Sequence, residues 1–199
     1  MMWLSAAVGD VCLPTLQCEP SRSDRETFRY VDIAGVDREA KAISRADEMP
    51  SADAPSRARK VIQAMDVLVS TVRPNLNAVA LVPEDLDGEI ASTGFSVLRT
   101  NRELLDPRFL FYWAQSREFV DFLVGNATGA SYPAVTDSVV RRARVPLATP
   151  REQSRIVELL SEADRRRRLR RESDAKADCI LPALFPEVFG EPDTNPKVF

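Results

Sequence analysis

Histidine is absent from the 199 residues, which removes the side chain most used for proton transfer near neutral pH and with it every Ser-His or Cys-His nucleophile. Of the usual catalytic groups, carboxylates are what remains. The cysteines are three, Cys12, Cys18 and Cys179, an odd number without a CxxC pair. With no histidine to join them, a zinc site lacks its ordinary ligands, so they read as reduced structural thiols and neither metal nor cofactor is expected. Long apolar runs are missing too; 67–69 and 78–82 are far too short to span a bilayer, and the N-terminus lacks a basic start and an apolar h-region. The expectation is a cytoplasmic protein with no membrane association. Gly-rich phosphate cradles of the G-x-G-x-x-G or G-x-x-x-x-G-K-[ST] kind do not occur, nor does the Asn-Pro-Pro-aromatic motif of adenine methyltransferases.

Bulk positive charge is also lacking. Formal net charge is -3 and the pI about 5.2, which argues against a chain that coats nucleic acid, so any such face must be local. Charge is nonetheless uneven. From 141 to 176 there are twelve basic residues against six acidic ones, and the remainder carries the compensating negative excess. This pattern fits a basic helical arm on an acidic body as well as it fits a solvated helix face.

What is present reads as an α+β chain. The stretch 28–33 alternates and is rich in Phe, Tyr, Val and Ile, as a strand is; 67–71, 78–82 and two segments in 90–100 are further strands. Residues 41–57 have no apolar period and read as a surface loop. Asp106 before Pro107 starts a helix whose apolar positions 109, 110, 113, 119, 120, 122 and 123 carry it to about Gly125. Its aromatics, at that spacing, are core rather than a stacking platform. A short helix from Thr136 or Asp137 and a strand near 143–148 follow. Then Thr149-Pro150-Arg151-Glu152 has capping-box spacing, opening a helix that reaches about Cys179 and ends at Pro182 and Pro186. Its apolar stripe, Ile156, Leu159, Leu160 and Ala163, thins after Asp164, which calls for a partner helix.

The stretch STVRPNLNAVALV, 70–82, ends as a buried strand and begins as a stiff, donor-rich loop. Arg73 precedes Pro74 and is expected in an extended conformation. Arg bonds guanine O6 and N7, and Asn bonds adenine N6 and N7, so Arg73, Asn75 and Asn77, with Ser70 and Thr71, are the residue types that read DNA. An ordinary β-turn accounts for the same residues. Thr93 and Ser96 belong to the neighbouring strand pair. A second loop, TGASYPAV, offers Thr128, Ser131 and Tyr132 beside Gly129, hydroxyls suited to phosphate oxygens, and it too reads as a plain turn. Glu39 and Lys41 in DREAK form half of a metal-dependent nuclease pattern, with Asp24 or Asp32 as the missing acid; chance spacing is the competing reading.

In order, YVDIAGVD, DVLVSTVRPNLNAVALV, ASTGFSVLR with LDPRFLFYWAQSREF, GASYPAV, RVPLATPREQSRIVELLSEAD and LFPEVFGEPDTNP resemble the specificity subunit of type I restriction-modification systems over 9–196. ATPRE departs from the Pro-Leu stretch usual before the Gln. The resemblance implies a target recognition domain at 1–148, a coiled-coil-forming spacer helix at 149–181 and a linker at 182–199. It implies no catalysis of its own, double-stranded DNA as ligand, and methyltransferase and restriction subunits as partners. A full subunit has two recognition domains and two spacers, so this chain matches a half. A homodimer, or pairing with a second half subunit, is expected through Gln153, Ile156, Val157, Leu160, Ala163 and Arg167. An assembly or regulatory protein without tight DNA binding, and a nuclease, stay as alternatives.

Overall fold

The computed structural model describes residues 3–189. In chain order the strands are β1 Leu4–Ala7, β2 Cys12–Leu13, β3 Thr27–Val31, β4 Val36–Asp37, β5 Ala42–Ile43, β6 Asp47–Pro50, β7 Ala58–Val61, β8 Val67–Ser70, β9 Val79–Leu81, β10 Ile90–Ser92 and β11 Phe95–Thr100. Helices α1 Pro107–Trp113, α2 Arg117–Gly125 and α3 Asp137–Arg142 precede β12 Arg144–Leu147 and the long α4 Pro150–Phe189. Among the described residues two compact units result, 3–157 and 158–189. The first two turns of α4 therefore pack with the body, beyond the boundary at 148 that the sequence suggests.

Two four-stranded sheets build the body, in the orders β6-β3-β10-β7 and β2-β11-β8-β9. Strand alternation decides which residue faces which layer. On β8, Leu68 faces the core shared with Val31, Ile62, Phe95 and Val97, while Val67 and Val69 face the core made with α1, α2, α3 and β12. The sheet carrying β8 is thus covered on both sides, and each such fully buried side chain contributes roughly 1.5–3 kcal/mol. The other sheet is mixed: β10 runs parallel to β3 and antiparallel to β7, with a bulge between Ala91 and Ser92. β1 pairs antiparallel with β12, Leu4 opposite Leu147.

Several expectations are met and several are not. Asp106 caps α1, its Oδ1 accepting from the N–H groups of Arg108 and Phe109 at 2.7 and 3.3 Å. The helix does not run unbroken to Gly125. Ser116 takes an extended backbone and its Oγ accepts from Phe119 N–H, which ends one helix and caps the next. That break lets the Trp113 and Phe119 rings pack with centroids 4.6 Å apart. Residues 41–57 hold β5 and β6, short edge strands that borrow their pairing from β4 and β3 and so need no apolar period of their own. α4 continues past Pro182 and Pro186 to Phe189. Each proline there removes one backbone hydrogen bond and sets its ring against the carbonyl four residues back, which is why the sequence predicts an end where the helix in fact continues. Of the linker expected at 182–199, residues 182–189 are helical and 190–199 lie outside the described residues. No helix among the described residues is long and apolar enough to cross a membrane.

Candidate nucleic-acid interface

Strand β8 leads into the loop at 71–78, and the backbone there departs from the extended form expected before proline. Arg73 is left-handed at φ 49° and ψ 61°, Asn77 likewise at φ 45° and ψ 54°, and the two bracket a single 3-10 turn, Pro74–Leu76. A non-glycine residue held there costs about 1–2 kcal/mol, so surrounding bonds must enforce it. They do. Arg73 N–H donates to Pro133 O at 2.7 Å and Val135 N–H donates to Thr71 O at 2.9 Å, joining this loop to the 128–133 loop. On the other side, Thr71 donates through both its N–H and its Oγ1 to Gly94 O, at 2.8 and 2.9 Å.

The turn at 92–94 completes the face. Thr93 N–H donates to Arg57 O at 2.8 Å. A Cβ on Gly94 would stand 2.5 Å from Ile33 Cδ1, so the Ile33 side chain would have to swing aside to admit one. In the 128–133 loop Gly129 lies at φ 97°, and a Cβ there would meet Tyr132 O at 2.9 Å. Thr128 and Ala134 exchange both backbone bonds at 2.9 Å. The Arg73 guanidinium lies over the Tyr132 ring, 4.6 Å from its centroid.

Of the ten residues expected to read DNA, Arg73, Asn75, Thr93, Thr128, Ser131 and Tyr132 are exposed. The structure corrects the other four. Ser70, Thr71 and Ser96 are buried, with hydroxyls donating to Val72 O at 3.0 Å, Gly94 O at 2.9 Å and Asp137 Oδ1 at 2.6 Å. They brace the loops from beneath. Asn77 is half-buried, and its side-chain oxygen is enclosed without a hydrogen-bond partner. It serves as the left-handed hinge that Asn tolerates.

Sequence reasoning placed Lys41 in a nuclease pattern rather than beside these loops, and passed over Arg57. The Lys41 ammonium donates to Asn77 O at 2.5 Å, and burial draws its pKa below the usual lysine value. Lys41 thus ties the β4–β5 hairpin to the 71–78 loop, and Glu39 is exposed on that hairpin with Arg38. No cluster of His, Cys, Asp or Glu suited to a metal occurs among the described residues. Arg57 is exposed beside Thr93. A basic residue at the turn between two short strands is the signal for Lys41; Arg57 ends the longer connection 51–57 and carries no such signal. Fixed guanidinium, amide and hydroxyl donors on a stiff surface are the means by which base edges and phosphates are contacted.

The interface expected on α4 divides. Glu152 and Thr149 form the capping box: Thr149 N–H and Oγ1 donate to Glu152 Oε2 at 2.9 and 2.8 Å, and Glu152 N–H donates back to Thr149 Oγ1 at 3.4 Å. These bonds hold the Glu152 pKa below the usual carboxylate value. Gln153 is buried at 2 % exposure, its Oε1 accepting from Asp106 N–H at 2.8 Å and its Nε2 donating to Leu104 O and Ala148 O at 3.0 and 2.9 Å. Val157 is buried and Ile156 partly so in the body's own core. Gln153 and Val157 are therefore internal rather than available to another chain. Leu160, Ala163 and Arg167 are exposed.

No family model matches the chain. It is similar to the type I restriction enzyme HindI specificity subunit of Haemophilus influenzae, 27% identical over 139 residues, which is 69% of this chain and 30% of that protein. Among solved structures, the HsdS subunit from Thermoanaerobacter tengcongensis is 41% identical with a TM-score of 0.75, covering 96% of this chain and 50% of that one. A chain from a study of complex assembly and conformational transition of the type I R-M system gives 41% and 0.78 over the same shares. The S subunit of a type I system from M. genitalium, at 13% identity and a TM-score of 0.52, shares the fold. The chain spans about half the length of the first two solved relatives.

Proposed function

This chain is related in sequence and fold to one half of the specificity subunits of type I restriction-modification systems, and from that kinship we propose that it specifies a DNA half-site for a methyltransferase. Residues 1–157 read the duplex through Arg73, Asn75, Thr93, Thr128 and Ser131, with Tyr132 beneath the Arg73 guanidinium. The chain adds no catalysis and directs methyltransferase subunits, and through them a restriction subunit, to the sequence it reads. The observation that carries this reading is the pair of donor-rich loops, 71–78 and 128–133, bonded to each other and holding a strained arginine at the surface. A protein indifferent to its ligand's sequence has little use for such rigidity.

A second copy supplies the other half-site through the exposed part of α4. Charge along that helix is segregated, with six arginines in 165–171 and Glu172, Asp174 and Asp178 beyond them. Parallel in-register pairing sets the arginines against one another. Antiparallel pairing centred near 172 sets them against the acidic stretch, with Leu160 opposite Leu184. A twofold arrangement of this kind reads a palindrome with a fixed gap.

The test is co-expression with a methyltransferase subunit, followed by sequencing that maps methylated adenines. The expected outcome is a bipartite palindromic motif, lost or relaxed at one position in each half when Arg73 is replaced by Ala, since a good bidentate pair discriminates by about 1–3 kcal/mol. A stable complex without any methylation motif counts for an assembly protein that does not read DNA.

A further inference from the structure

Tyr132 is an exposed aromatic at 67% relative accessibility even with a guanidinium resting on it. Everything beneath it fixes where it stands. Gly129 admits the Tyr132 carbonyl at a distance no side chain would allow, Pro133 stiffens the next residue, and the Pro133 carbonyl takes the Arg73 N–H at 2.7 Å. Arg73 is thereby held at both ends, its backbone in the left-handed region and its guanidinium over the ring. No ion-pair partner is found for Arg73 among the described residues. An arginine at the surface otherwise samples many rotamers, and each must be given up when it forks onto a base.

We infer that Tyr132 is a positioning residue: it stacks under the Arg73 guanidinium and aims that side chain at one base pair, so that selectivity at this pair depends on a residue from the other loop. The inference rests on the DNA reading proposed above. A planar guanidinium on an aromatic face keeps its N–H edge free for bidentate bonding in its own plane. Aromaticity is what the role requires, and the phenolic hydroxyl is incidental to it.

The experiment selects from a pool of duplexes with randomised bases, using the full chain alone and the chain copurified with the methyltransferase subunit. It compares wild type, Arg73→Ala, Tyr132→Ala and Tyr132→Phe. Tyr132→Ala is expected to lower discrimination at the Arg73-dependent base pair by about fivefold to tenfold. It should leave the other positions, the salt dependence of binding and the urea midpoint unchanged, and Tyr132→Phe should restore the wild-type preference. Wild-type discrimination in Tyr132→Ala, with loss in Arg73→Ala, overturns the inference and leaves the DNA reading standing. A uniform loss at all positions, or failure of Phe to restore, also overturns it, because both describe a contact or a fold defect rather than aim. No enrichment by wild type in either form removes the DNA reading and the inference together.

Discussion

Asp137 accepts a hydrogen bond from Ser96 Oγ at 2.6 Å and one from Arg141 Nε at 2.8 Å. Burial alone would raise its pKa, but Ser96 and Arg141 outweigh that and the net direction is downward from 3.8. A carboxylate depressed in the folded state stabilises fully above its unfolded value, and the contribution is lost as pH falls through the folded one. Asp137→Asn should therefore cost about 1 kcal/mol at neutral pH, discounted for its half exposure, and flatten the fall in stability below about pH 4. Urea unfolding of both proteins across that range checks it. Cysteine chemistry gives a second expectation. Burial pushes the Cys12 thiol up to about 11, while Cys179 is exposed on α4. Alkylation at pH 8 followed by peptide mapping should label Cys179 well before Cys12. Arg73 and Asn75 were legible in the sequence as surface donors because their types and the proline beside them are local facts. The left-handed turn at Arg73 was not, since a preceding-proline preference is overridden only by partners from 94 and 133–135, which lie far off in the chain.

At the scale of elements, legibility followed the same division. The capping box at Thr149–Glu152 and the Asp106-Pro107 start were readable, because a cap is made by residues three apart. Ser116 was the N-cap that the run of aromatics around it concealed. Gln153 looked like one more polar position on an exposed helix, and nothing local says that three backbone groups from 104, 106 and 148 converge on its amide. Gln153→Ala should destabilise the body by about 2–4 kcal/mol, leaving one buried donor and two carbonyls without it. The check is the urea midpoint, with an unchanged slope confirming the same transition. Leu160→Glu, by contrast, changes an exposed residue of the next turn and should leave that midpoint within about 0.5 kcal/mol.

For the whole molecule the expectation is association. Light scattering of the full chain at high concentration should give twice the chain mass, and Leu160→Glu with Ala163→Glu should return it to one without loss of folded body. A wild-type monomer at the same concentration counts against the antiparallel pairing. One feature of the body bears on how such a protein can change. β1 begins beside the end of β12, with Leu4 opposite Leu147, and Trp3 Nε1 reaches Glu152 Oε1 at 3.5 Å. The chain thus comes into the body and departs from it at neighbouring points. A foreign body that keeps the same pair of strands and the seats of Gln153 and Val157 could be grafted onto α4 by two crossovers, one near each end of that sheet. On the proposed function, recombination between unlike chains would then change the sequence read in a single exchange and leave the exposed part of the helix as it was.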